Sequence, residues 1–274
     1  MDYKELESFA KEIRVNIVSS ICSIGAGHIG GSLSIVEALT LLYKKHMKID
    51  PANPKMEGRD RFVCSKGHAG PAVYAVLAEM GYFEKSELLT LNQGGTRLPS
   101  HCDMNKTPGI DMTAGSLGQG MSCAVGIALG AKLKKDGARC YCIIGDGESQ
   151  EGQIWEAALF AAHKKLDNLI VFTDYNKYQL DGAIEEINNL EPLAEKWKAF
   201  GWNVYEVDGN CLEELDKAII AAKANTGKPS MIVMHTIKGK GIEFVESAKG
   251  GCHSMSVSCE QRDCAVNEIR GGLC

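Results

Sequence analysis

Leu6, Phe9, Ile13, Ile17 and Ile21 recur at three- and four-residue spacing, which predicts an amphipathic helix over residues 4–20. A second apolar-periodic stretch predicts a helix over 33–46, and the segment Asp50-Pro51-Ala52-Asn53-Pro54 stops it, because proline cannot continue a helix. A short strand follows at 61–64, then helices at 71–80 and 120–135, the second after a glycine-rich turn that begins at Gly115. Beyond it the pattern alternates: strand 139–144, helix 151–163, strand 169–173, helix 190–200, strand 203–207, helix 212–224, strand 231–235. This order predicts an α/β fold, a mostly parallel sheet with helices on both faces, whose ligands bind beyond the carboxyl ends of the strands. The Gly-, Ser- and Cys-rich stretch 247–274 reads as a surface extension to a single domain over 1–246.

Composition narrows the function classes. With 274 residues, 45% of them apolar, the chain is long enough for one sizeable core. A net charge of -5 offers no basic excess to nucleic acid or to an anionic membrane. The longest apolar runs, such as 124–131, fall far short of the roughly 20 residues that cross a bilayer. No charged, apolar and small-residue succession marks an export signal, so a cytoplasmic protein with a small-molecule site is expected. The 11 cysteines show no paired framework, which fits reduced thiols. Cys252, His253, Cys259 and Cys264 carry no diagnostic metal spacing.

Gly145-Asp146-Gly147-Glu148 follows a predicted strand directly, so Asp146 emerges at the sheet edge where flanking glycines admit a ligand close to the backbone. Asp174-Tyr175-Asn176 ends the next predicted strand and brings a second oxygen donor to that edge. A hard cation such as Mg²⁺ suits these oxygens, with the backbone carbonyl of Tyr178 as a third. Taken alone, Gly-Asp-Gly is a tight turn. The spacing to Asn176, one strand-helix-strand unit, and the following Glu151-Gly152-Gln153-Ile154-Trp155-Glu156-Ala157 give it more weight.

The segment from Gly145 to Asn176 resembles the thiamine diphosphate fingerprint, and its wording is that of transketolase. Gly27-His28-Ile29-Gly30-Gly31, Asp60-Arg61-Phe62-Val63, Ser65-Lys66-Gly67-His68-Ala69, Arg97-Leu98-Pro99-Ser100-His101 and Gly115-Ser116-Leu117-Gly118-Gln119-Gly120 resemble the same family in the same order. The resemblance implies a thiamine-diphosphate-binding fold and a divalent ion (Mg²⁺, or Ca²⁺ or Mn²⁺) held by Asp146, Asn176 and Tyr178. His28, His68 and His101 are the implied catalytic residues. Cofactor contacts are implied for His68, Gly115, Ser116, Leu117, Gly147, Glu148, Asn176, Lys238 and His253. A lone histidine beside glycine is more often a loop residue, and a lone lysine a solvated charge. His253 matches with its usual Trp, Gly and downstream Pro missing. Glu151 matches a carboxylate that organises the contact between active sites, or else favours a helix N-terminus.

The resemblance further implies transfer of a two-carbon ketol unit from a ketose phosphate to an aldose phosphate, with pentose phosphates as the first expectation. The second α/β domain of a transketolase, which binds the cofactor's pyrimidine, has no counterpart here. A partner C-terminal subunit is therefore expected, in a heterotetramer with two copies of each chain. The neighbouring readings are a 2-oxo-acid dehydrogenase component, a deoxyxylulose phosphate synthase or a non-catalytic binding subunit. A nicotinamide-binding dehydrogenase is disfavoured because no G-x-G-x-x-G opens a helix after a strand with a later acidic residue.

Overall fold

The computed structural model describes residues 2–272. Its elements in chain order are α1 (Tyr3–Ile24), β1 (Ala26–Gly27), α2 (Gly30–Leu33), α3 (Val36–Leu41), a π-helical turn (Leu42–His46), β2 (Arg61–Cys64), α4 (Gly70–Glu79), α5 (Gln119–Lys134), β3 (Cys140–Gly145) and α6 (Gly152–His163). They continue with β4 (Leu169–Tyr175), α7 (Ile184–Ile187), α8 (Leu193–Ala199), β5 (Asn203–Asp208), α9 (Leu212–Ala224), β6 (Ser230–His235), α10 (Glu243–Ser247), β7 (Met255–Ser256) and α11 (Cys259–Ile269).

Five strands form one parallel sheet in the order β2-β3-β4-β6-β5. The pleat sends alternate side chains to opposite faces. Tyr141, Ile143, Ile170 and Phe172 therefore join the core beneath α1, α3, α4 and α9. Cys140, Cys142, Ile144, Leu169 and Val171 join the second core beneath α5, α6 and α8. Burial on both faces is why these strands read as unbroken apolar runs. Fully burying each large aliphatic side chain stabilises the fold by about 1.5–3 kcal/mol. The α/β expectation is met.

Three expectations need correction. The helix expected over 33–46 begins only at α3, which continues directly into the π-helical turn; Ile35, out of helical geometry at φ -108 and ψ 11, separates it from α2, which ends at Leu33. Every residue from Gly30 to Tyr43 is buried, so there is no polar face to define one helix axis. The stretch 247–272, expected as a surface extension, instead packs into the main core. Cys252, Val257, Ala265 and Ile269 are buried there, α11 lies against α1, and β7 pairs antiparallel with β1. Only Ala265 and Ile269 of α11 are buried, too sparse an apolar stripe to stand out from its polar composition. Of the thiols, Cys22, Cys64, Cys102, Cys123, Cys140, Cys142, Cys211, Cys252 and Cys259 are free. Cys264 departs from the reduced-thiol expectation in being disulfide-bonded. Cys274 lies outside the described residues.

Candidate active site

The carboxyl edge of the sheet carries the site because Gly145 pairs with Asp174 and Asp174 with Met234, so three loops leave the sheet side by side. Asp146 and Asn176 emerge from adjacent strands, as their spacing predicts. Asp146 is 3% exposed; its Oδ1 accepts the Gly147 N–H at 2.7 Å and its Oδ2 the Lys177 N–H at 2.6 Å. Burial, then the neighbouring Asp174 charge, push its carboxyl up to about 7. Asn176 donates its Nδ2 to Asp174 at 2.8 Å, which leaves Oδ1 on the other side, accepting the Tyr178 N–H at 3.1 Å. Asp174 ionises readily and so acts only as an acceptor here, which fixes the orientation of the amide.

Beneath these residues lies an ion pair. Lys66, 1% exposed, donates to Asp174 at 2.5 Å and to the Gly31 carbonyl at 2.9 Å. Asp174 also accepts from Ser34 at 2.7 Å and from Thr236. Burial opposes its charge, but the Lys66 cation and these hydrogen bonds hold it below the usual carboxylate range. Lys66 and Asp174 thus tie α2, β2, β4 and the loop after β6 together under the cleft. Neither residue has a role that sequence reasoning assigns. The signal lies in a lysine set between a strand end and a glycine, and in the acid two positions before Asn176.

The cleft has a volume of about 370 Å³, and four imidazoles face one another across it. The His28 ring lies 5.6 Å from His68, 5.5 Å from His101 and 5.5 Å from His253, and His68 lies 4.9 Å from His253. Burial is the leading cause that lowers all four below the ordinary imidazole value. Nearby cations add to the effect on His68 through Lys66 and on His253 through Lys238, and His253 falls to about 4. At neutral pH each ring is therefore uncharged, with one N–H to donate and one nitrogen to accept.

The neutral rings also tie stability to pH. Between about 4 and the ordinary value near 6.5, the unfolded chain holds a proton on His253 that the folded chain lacks. Native stability is expected to fall as pH drops through that window, with the loss complete below about 4 and absent above 6.5. Thermal midpoints recorded from pH 7.5 to 4 should therefore decline more steeply for the natural chain than for His253→Gln. Parallel curves would dismiss the assignment.

Three expected contacts differ in geometry. The Glu148 carboxylate is taken up by the protein: it accepts from Ser65 Oγ at 2.5 Å, Gly118 N at 2.8 Å and Gly145 N at 3.0 Å, joining the glycine-rich turn to the strand end. The Gly147 N–H is engaged by Asp146, and the Tyr178 carbonyl accepts Lys238 Nζ at 2.9 Å. Lys238 is 5% exposed, so it is no solvated surface charge. Gly115 and Leu117 line the cleft, whereas Ser116 is exposed outside that lining. Gly67 is required by close approach: a Cβ there would sit 2.3 Å from the Ala114 carbonyl and displace the turn that carries Gly115. Glu151 is exposed at the cleft rim. Among the described residues, no three His, Cys, Asp or Glu side chains gather as a metal cluster, so Cys252, His253, Cys259 and Cys264 do not form one.

A family model described as the thiamine diphosphate binding domain of transketolase matches residues 6–264. The chain belongs to the transketolase family. It is 55% identical over 265 residues to the 6-deoxy-6-sulfo-D-fructose transketolase subunit SqwG of Clostridium sp. (strain MSTE9), covering 97% of this chain and 96% of that one. It is 38% identical to one of the subunits of an apulose-4-phosphate transketolase from Phocaeicola vulgatus, covering 98% of this chain and 95% of that one. The solved transketolase from Leishmania mexicana superposes with a TM-score of 0.89 at 32% identity, over 98% of this chain and 41% of that chain. The Campylobacter jejuni transketolase superposes at 0.91 and 30% identity, over 100% and 44%. This transketolase-family chain thus corresponds to an N-terminal, thiamine-diphosphate-binding subunit of the split kind, and it spans about two fifths of the solved transketolase chains.

Proposed function

We propose that this chain is the diphosphate-binding half of a thiamine-diphosphate-dependent transketolase and moves a two-carbon ketol unit from a ketose to an aldose. The observation that supports this most is the convergence, in one cleft, of Asp146 and Asn176 with four uncharged imidazoles. The donor set fits a hard divalent cation, Mg²⁺ or its substitutes Ca²⁺ and Mn²⁺. It comprises a carboxylate whose charge is disfavoured by burial and by Asp174, an amide oxygen with fixed orientation, and a carbonyl that already attracts an ammonium group. Thiamine diphosphate, when bound, supplies the electron sink that ketol transfer requires.

The chain's own residues then hold, orient and shuttle. Asp146, Asn176 and the Tyr178 carbonyl are the proposed cation ligands. Lys238 and Lys66 offset anionic charge, while Gly115 and Leu117 pack against the cofactor. His68 and His253 adjoin the diphosphate. His28 and His101 hydrogen-bond the donor's hydroxyls, and an uncharged imidazole, with one nitrogen free to accept, can take and return a hydroxyl proton. Glu148 acts by holding the Gly118 and Gly145 amides rather than by touching the ligand.

The proposed partner is a C-terminal transketolase subunit that binds the cofactor's pyrimidine, two copies of each chain forming a cytoplasmic heterotetramer. Among the described residues, no helix is long and apolar enough to cross a membrane. The 55% identity to a subunit named for 6-deoxy-6-sulfo-D-fructose makes that sulfonated ketose the proposed donor, ahead of the pentose phosphates. The test is reconstitution with a C-terminal transketolase subunit, followed by a ketol-transfer assay over sulfofructose, apulose phosphate and pentose phosphate donors. Transfer to an aldose without carbon dioxide release is expected, with sulfofructose turned over most efficiently. Decarboxylation of pyruvate in place of ketol transfer would overturn the reading.

A further inference from the structure

Two thiols lie together away from the cleft. Cys22 is in the last turn of α1, Cys259 is the first residue of α11, and their sulfurs are 3.9 Å apart. Ser258 and Gln261 form a reciprocal capping box at the start of α11, so the backbone that carries Cys259 is well ordered. Cys259 is exposed and Cys22 partly buried, whereas Cys64, Cys102, Cys140, Cys142 and Cys252 are buried. The Arg262 guanidinium, one turn along α11, pairs with Asp263 at 2.7 Å, and the two charges act on Cys22 in opposite directions.

We propose that Cys22 and Cys259 form a dithiol–disulfide exchange site, oxidised by a low-molecular-weight disulfide and reopened by a thiol. The exposed Cys259 thiolate attacks one sulfur of the reagent; the reagent's S–S bond breaks and one thiolate leaves. The Cys22 thiolate then attacks Cys259 Sγ, forming the internal bond and expelling the second reagent thiolate. The two thiol protons of the protein end on the two released thiols, so the protein loses two electrons and the reagent gains them. Burial and the Cys259 thiol push Cys22 up, which leaves Cys22 to the second, intramolecular step, where proximity compensates for a smaller thiolate fraction. Bond formation needs the sulfurs to close from 3.9 Å to about 2.05 Å, within reach of side-chain rotation.

The position of the pair gives the crosslink an effect on the site. Cys22 lies six residues before His28, and Cys259 six residues after His253. Between them, Ala26 pairs with Ser256 and Gly27 with Met255. The disulfide would therefore close the far end of the β1–β7 ribbon, whose near end carries two imidazoles 5.5 Å apart. It would also join chain positions 237 residues apart, a long loop whose closure restricts the unfolded chain.

The test treats the purified chain with glutathione disulfide, blocks residual thiols by alkylation and maps the digest by mass spectrometry. Before alkylation the expected product is lighter than the untreated chain by about two mass units; the digest then contains one Cys22–Cys259 linked peptide, and the crosslink reverts with dithiothreitol. Its thermal midpoint should rise by at least about 5 °C. Cys22→Ser should instead retain one reagent adduct on Cys259, and Cys259→Ser should give no linked peptide. Full alkylation of both cysteines after oxidation, or a stable adduct on Cys259 in the natural chain without the crosslink, would overturn the proposal.

Discussion

Asp146→Ala is expected to lower ketol transfer by the reconstituted complex on the order of 10³-fold or more, because cation-mediated charge stabilisation contributes several kcal/mol and each 1.4 kcal/mol is a factor of about ten. The chain itself should not be weakened in proportion. The Asp146 carboxyl is raised to about 7, so at neutral pH its charge costs the folded state more than the unfolded one. Removing that charge offsets the loss of the hydrogen bonds to the Gly147 and Lys177 amides. The expected pattern is a ligand-free thermal midpoint that stays level or rises, alongside loss of the stabilisation that thiamine diphosphate and Mg²⁺ confer together. Calorimetric titration of cofactor and metal into the variant complex checks it directly. Unchanged cofactor affinity would show that the cation is held elsewhere.

Lys66→Met is expected to show the opposite signature, lost stability before lost chemistry. It leaves Asp174 buried at 0% exposure without its cation, and breaking such a pair costs about 3–5 kcal/mol. For a chain of this size that corresponds to a thermal midpoint lower by roughly 10 °C. Urea unfolding should recover much of the deficit when Asp174→Asn is added, since the amide oxygen can still accept from Ser34 while the amide NH2 donates to the Thr236 hydroxyl, and the group carries no charge. If the double variant were no more stable than Lys66→Met alone, charge compensation would not be what Lys66 provides.

These two residues mark what can be read in advance and what cannot. Asp146 is legible because its neighbours advertise it: a strand end, flanking glycines, and an oxygen donor one strand-helix-strand unit later. Lys66 stands in a family-like segment but gains no role there, since its partner lies 108 positions away and no local pattern relates them. Glu148 points to the ligand on position alone. Its donors, Ser65 and Gly118, come from loops far off in sequence, and only their arrival shows that the carboxylate is occupied. The tail illustrates the same limit for the fold, because an eleven-residue helix with two buried side chains looks like solvated chain until α1 is laid against it.

From residue order alone follow the alternation of strands and helices, the burial of both sheet faces and the emergence of Asp146 and Asn176 at one edge. Each of these rests on short apolar runs for the strands, on spacings of about four residues for the helices and on turn chemistry, which act over short stretches of chain. The neutrality of the four histidines, the Lys66–Asp174 pair beneath them and the docking of residues 247–272 belong to the folded molecule. They depend on desolvation and on charges at close range, and both come into being only when distant segments meet.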